Sequence, residues 1–349
     1  MVEPPLPASR PLSPDHPAGQ SLANWVHDEF VPHPLVRGGH AQTLVPHLLP
    51  RRCPLPDAEE RLIRVADEAQ VLCHCHWQPA RAASLTLILV HGLEGSSHAK
   101  YMRGTTHKAW AAGLNVVRMN VRNCGGTEAL APTLYHSGMS EDIAAVVRAL
   151  IAGEHLERIA LAGFSMGGNQ VLKLAGEWGR EHSTPPQVAA VAAISPAMDL
   201  APSADAIHER QNRLYEWHFL RSLRERLRRT VQLFPGQFRV SRWQWESIRD
   251  FDDCITAPQA GFADAADYYT RASASQVIEF ITLPTLILHA QDDPFVRVAP
   301  ETYDKLAANP NIRFLETPSG GHCGFLAAKR LQHDHRWGEE QLVKFVRTQ

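Results

Sequence analysis

A serine flanked by glycines two residues to either side stands at Gly163-Phe164-Ser165-Met166-Gly167. A strand-like run, 158–162, precedes it and a helix-like stretch, 169–178, follows. Strand, sharp turn and helix in that order form a nucleophile elbow, which lifts the serine hydroxyl above a sheet. The glycines suit it because strand and helix approach too closely there for a Cβ. A serine hydroxyl is a weak nucleophile at neutral pH and needs a base, itself oriented by a carboxylate. In a doubly wound sheet these follow the serine on loops at the carboxyl ends of later strands, the acid before the histidine. The order occurs once in good context. Residues 285–289 read as a strand running into Gln291-Asp292-Asp293-Pro294, and 312–316 as another running towards Ser319-Gly320-Gly321-His322. Asp293, directly before the proline, is favoured over Asp292, and position singles out His322 among 19 histidines. The chemistry would be acyl transfer, with the amides of Met166 and Leu93 as donors to the developing oxyanion. The Leu93 loop, His91-Gly92-Leu93-Glu94-Gly95, taken alone reads better as an ordinary strand-to-helix turn, and only together with the elbow, Asp293 and His322 does it read as an oxyanion loop.

The elements around these residues alternate. Residues 62–65 and 70–77 read as a hairpin turning near Asp67-Glu68. In its second strand, Cys73-His74-Cys75-His76 looks metal-like, but in a strand the cysteines face one side and the histidines the other. Four ligands then could not converge, and no metal site is expected. Continuous apolar runs at 85–90, 114–121 and 188–194 suit parallel strands buried on both faces. Helices are expected at about 100–112, at 141–152 with Ser140 as N-cap, and at 339–347. The pattern predicts an α/β fold, a mostly parallel central sheet with helices on both faces.

Two stretches break the alternation. Residues 25–52 lack a period and are expected to wrap the outside. Residues 198–276 read as a helical cap insertion in which 207–230 is one basic helix, with seven arginines against three glutamates. That helix could be a solvated outer face or a contact with a membrane surface or anionic head group. Trp217, Phe219, Phe234, Phe238, Trp243 and Trp245 could line an acyl pocket or pack the cap onto the sheet.

Composition narrows the class. Hydrophobic residues make up 44% of 349 positions and charged ones 21%, with a net charge of −2, so nothing global suggests nucleic acid. Six cysteines show no disulfide-framework spacing, and a reduced, cytoplasmic chain is expected. No apolar run reaches the ~18 residues of a membrane span. The proline-rich residues 1–24 read as a disordered leader ahead of one hydrolase domain, 25–349.

Several blocks together resemble the YheT-like α/β-hydrolase family. They are Gln42-Thr43-Leu44; His91-Gly92-Leu93-Glu94-Gly95-Ser96; Asn120-Val121-Arg122-Asn123-Cys124-Gly125-Gly126; Tyr135-His136-Ser137-Gly138; Phe251-Asp252-Asp253; Ile255-Thr256-Ala257-Pro258; Asp267-Tyr268-Tyr269; and His289-Ala290-Gln291-Asp292-Asp293-Pro294-Phe295. The elbow Phe164-Ser165-Met166-Gly167-Gly168-Asn169 matches too. The resemblance implies a serine hydrolase of esterase or lipase type with Ser165, Asp293 and His322 as triad, acting on a small-molecule ester, lipid-like ones included, without a cofactor. It implies a role in the fold for 251–258. Asn123 departs from it, since a glycine is expected after the arginine. A thioesterase or acyltransferase could use the same triad, and a binding protein could keep the fold with an abandoned site. Oligomeric state is left open.

Overall fold

Residues 86–90 are Thr-Leu-Ile-Leu-Val, and a strand of such residues needs apolar cover on both faces. The computed structural model supplies it; it describes residues 27–240, 243–329, 331–332 and 334–349, so the leader expected over 1–24 lies outside the described residues. The eight strands are β1 (Glu59–Ala66), β2 (Ala69–His76), β3 (Thr86–Val90), β4 (Asn115–Met119), β5 (Ile159–Phe164), β6 (Val188–Ile194), β7 (Thr285–Ala290) and β8 (Ile312–Thr317). They form one sheet in the order β1-β2-β4-β3-β5-β6-β7-β8. β2 runs antiparallel to both its neighbours and the other pairs are parallel.

The helices are α1 (Gly39–Leu48), α2 (Lys100–Ala111), α3 (Glu141–Glu154), α4 (Met166–Glu181), α5 (Leu200–His208), α6 (Arg213–Leu233), α7 (Ala265–Ala272), α8 (Pro300–Ala308) and α9 (Trp337–Arg347). Alternate strand residues feed two cores. Ile88, Val90, Val117 and Leu161 pack with Ile143 and Val147 of α3 and Leu172 of α4. Leu87, Leu89, Val116 and Ala162 pack with Met102 of α2 and Leu342 and Phe345 of α9. The chain steps from β3 outward to β4, then returns to β5 on the other side. Val90 lies in register with Gly163, so the loops leaving β3 and β5 diverge from one point. Such a switch point is where open α/β sheets place their ligands.

Three expectations need correction. The stretch 25–52 is not wholly irregular: it contains α1, whose buried residues are Gln42 and Pro46 while Leu44 and Leu48 are exposed. That inverts the usual apolar face and erases the periodic signal. The basic stretch 207–230 is two helices, because the Asn212 amide donates to the carbonyls of Ala206 (2.8 Å) and Pro294 (2.7 Å) and turns a corner. Ser140 sits at the N-cap of α3 but makes no side-chain cap bond, giving its hydroxyl to Glu177 at 2.5 Å instead. On α6, Arg213, Arg221, Arg228 and Arg229 are exposed, as the solvated outer face expected of this stretch would have them. Arg226 turns inward, Arg229 pairs with Glu225 and Glu128, and Arg221, Arg224 and Arg228 lie against Trp217, Trp245 and Trp243.

In β2 the alternation holds: Cys73 and Cys75 enter one core, while His74 bonds Ser97 (3.0 Å) and His76 bonds Arg118 (3.1 Å). Among the described residues, no group of three or more His, Cys, Asp or Glu could hold a metal ion, and no helix is long and apolar enough to cross a membrane.

Candidate active site

Ser165 directly follows β5 and caps α4 with φ 54° and ψ −119°, a backbone that a non-glycine residue adopts only under constraint. The constraint is close packing. A Cβ on Gly163 would lie 2.1 Å from the Gly167 carbonyl oxygen, and one on Gly167 only 2.4 Å from that of Val90. The Ser165 amide donates to the Ile194 carbonyl at 2.9 Å, fastening the turn to β6. Ser165, Met166 and Leu93 line one cavity. The Met166 amide opens α4, where helix geometry leaves it without an intrahelical acceptor. The Leu93 amide has no acceptor among the described residues either.

The Leu93 loop is built from both sides. His91 is fully buried, its Nδ1–H donating to the Gly92 carbonyl (2.8 Å) and its Nε2 accepting from the Val121 amide (3.1 Å). Burial pushes its pKa down to about 4, so it is a neutral brace. The Gly92 amide donates to the Tyr101 hydroxyl at 3.0 Å. Glu94, at φ 54°, gives its amide to the Tyr135 hydroxyl (3.0 Å), which donates back to the Glu94 carboxylate (2.7 Å). Arg226 reaches down from α6 and grips that carboxylate with Nε (2.8 Å) and Nη2 (3.0 Å). Its Nη1 donates to the Asn123 carbonyl. Asn123 stands at φ 57°, the left-handed region that asparagine tolerates best after glycine.

Asp293 and His322 meet: Nδ1 of His322 donates to Oδ2 of Asp293 at 2.8 Å. The other Asp293 oxygen accepts the amides of Phe295 (3.1 Å) and Val296 (2.9 Å). Burial alone would raise Asp293, but His322 and these donors hold it below the usual carboxylate range. Burial alone would lower His322, but the Asp293 charge takes it well above its ordinary value. Asp292 has a different task, accepting the Gly321 amide at 2.8 Å. The next two amides are also held: His322 donates to Thr43 Oγ1 of α1 (2.8 Å) and Cys323 to Ser195 Oγ (3.0 Å). The Phe295 ring lies 4.4 Å from the imidazole, centre to centre, and lines the cavity that Ser165 opens into.

Sequence alone does not single out Thr43, Ser195, Tyr135 and Arg226 as site residues. Thr43 and Tyr135 fall in blocks noted above, but only the fold reveals what they touch. Of the six cap aromatics, Phe219 alone lines this cavity, and its apolar wall comes from aliphatics such as Leu134, Ile207 and Leu223 together with Phe251 and Phe295. Trp217 is 58% exposed, and Trp245 packs on Phe251 at 5.0 Å.

Comparison with known proteins agrees with the fold. A family profile described as alpha/beta hydrolase fold matches residues 86–328. An Escherichia coli (strain K12) protein that bears the provisional name esterase YheT is 32% identical over 92% of this chain and 93% of its own. The monoacylglycerol lipase of Saccharomyces cerevisiae is 29% identical over 75% of this chain, a match spanning 58% of the yeast protein. The Pyrococcus furiosus esterase Pf2001 superimposes with a TM-score of 0.55 at 18% identity, over 85% of this chain and 97% of that one. The chain belongs to the α/β-hydrolase family, in its YheT-like branch.

Proposed function

We propose that the protein hydrolyses carboxylic esters through an acyl-enzyme on Ser165. The observation carrying this reading is the Asp293–His322 hydrogen bond beside a cavity that holds a serine at a strained elbow. With Nδ1–H committed to Asp293, the nitrogen of His322 left to act as a base is Nε2. Nε2 takes the Ser165 proton as Oγ attacks the ester carbonyl. The Leu93 and Met166 amides bind the oxyanion, and collapse expels the alcohol, which leaves with that proton. Water then attacks the acyl-enzyme by the same route in reverse roles. The family relation to an esterase and a lipase supports carboxylic esters as the substrate class. The apolar wall supports an acyl chain in the cavity, which encloses about 120 Å³. That is comparable with a cavity of ~150 Å³ that accepts benzene, so a short or medium chain fits without movement of the walls.

Treatment with a fluorophosphonate probe tests the assignment. Wild-type protein should be labelled at Ser165, and Ser165→Ala should fold, resist labelling and lose hydrolysis by about six orders of magnitude. Labelling of Ser165→Ala at the wild-type rate would reject it.

A further inference from the structure

One end of the cavity beside Ser165 is polar. Between the α-helical turns Ile248–Phe251 and Ala257–Gln259 lies a single π-helical turn, Asp252–Thr256. Such turns are rare and occur frequently at functional sites. This one brings both Asp252 and Thr256 to the cavity wall. Asp252 is 9% exposed, and its carboxylate accepts hydrogen bonds from the hydroxyls of Thr256 (2.7 Å) and Tyr269 (2.8 Å). Among the described residues it has no ion-pair partner, and Arg249 nearby pairs with Asp205. A buried carboxylate hydrogen-bonded only by neutral hydroxyls, with the Arg249 charge acting from beyond ion-pair distance, is a costly way to tie two side chains together. Two of its roughly four acceptor sites are used, and the others stay open. Tyr268 lines the same end, and its oxygen accepts the Ser137 amide at 2.9 Å, leaving its own proton to donate. An acceptor and a donor side by side suit a hydroxyl group, which needs both.

We propose that Asp252 and Tyr268 bind a free hydroxyl carried by the substrate ester, on its alcohol or its acyl portion, and so set specificity. The proposal rests on ester hydrolysis at Ser165. Asp252 takes the hydroxyl proton in a hydrogen bond and Tyr268 donates to its oxygen. The rest of the wall, including Leu134, Ile207, Leu223 and Phe251, takes the apolar part. This gives the Phe251-Asp252-Asp253 and Ile255-Thr256 blocks a task beyond the fold.

The test compares kcat/KM within two matched pairs. Monobutyrin against propyl butyrate places the hydroxyl on the alcohol side. Methyl omega-hydroxyhexanoate against methyl heptanoate places it on the acyl side. Wild-type protein should favour the hydroxylated member of at least one pair by about tenfold or more, as a hydrogen bond to a charged acceptor allows. The pair showing the preference tells which portion occupies the polar end. Asp252→Asn and Tyr268→Phe should each bring that ratio down towards one. A wild-type ratio near one in both pairs overturns the proposal. So does an equal loss on both members in the variants, which would mark a structural role. Failure to cleave any of the four, with Ser165 unlabelled by a fluorophosphonate, would remove ester hydrolysis itself and this assignment with it.

Discussion

Asp292 and Asp293 are adjacent and chemically identical, and they differ only in where their carboxylates end. Asp293 touches the imidazole, while Asp292 holds the backbone of the loop that carries it. Asp293→Asn should therefore leave a folded protein with hydrolysis reduced about ten-thousandfold, because the His322 tautomer is no longer fixed. Asp292→Asn keeps an oxygen able to accept the Gly321 amide and should cost far less. Steady-state assays of both variants decide the matter, and the opposite ranking would mean that Asp292 is the acid. The Asp293 charge also raises the His322 pKa well above its usual 6.5, overcoming the opposing effect of burial. A base works only when neutral, so kcat/KM should rise with pH on a limb centred above 6.5 and fall away below it. In Asp293→Asn that limb should move to lower pH. A limb unmoved by the substitution would assign it to another group.

Among the elements, α6 matters most beyond the sheet. Its Arg226 grips Glu94, the residue after Leu93, and the carbonyl of Asn123, so one side chain fixes the loops after β3 and β4. Both loop residues stand in left-handed conformations, which Arg226 secures together with Tyr135 at Glu94 and the Ala131 carbonyl at Asn123. Removing the partner of a buried carboxylate typically costs ~3–5 kcal/mol, so Arg226→Ala is expected to lower the melting temperature sharply. Arg226→Lys keeps the charge and loses the fork. It should fold, and its kcat should fall tenfold or more with little change in KM, since a loosened Leu93 amide is felt in the transition state. A folded Arg226→Lys with wild-type kcat would confine Arg226 to stability. The same element explains why 207–230 misleads in sequence: an arginine aimed inward and one aimed at water look alike until the partner surface is known.

At the scale of the whole molecule, sheet and insertion close a cavity that neither could form alone. Leu93 and Met166 come from the sheet's loops, Leu200, Ile207 and Leu223 from the insertion, and Phe295 from the loop after β7. Each methylene buried against such a wall contributes ~0.8 kcal/mol, about fourfold in kcat/KM. Specificity across acetyl, butyryl and hexanoyl p-nitrophenyl esters should therefore rise with chain length. A steady fall from acetyl onward would mean that the apolar wall packs the fold and does not receive the acyl group.

What the sequence determined by itself was local or set by chain order. The elbow was legible because glycines around a serine between strand and helix satisfy a short-range steric demand. The apolar runs of β3, β4 and β6 were legible because burial on both faces removes polar alternation, and the sheet order then restricts acid and base to the loops after β7 and β8. Tertiary structure alone decided which of two neighbouring aspartates meets His322, that α1 buries Gln42 and lends Thr43 to the histidine loop, and that Arg226 faces inward. It also decided that Phe219 reaches the cavity while Trp217, Phe234, Phe238, Trp243 and Trp245 do not line it. These are contacts between residues far apart in the chain, and a residue's type does not carry the identity of its distant neighbour.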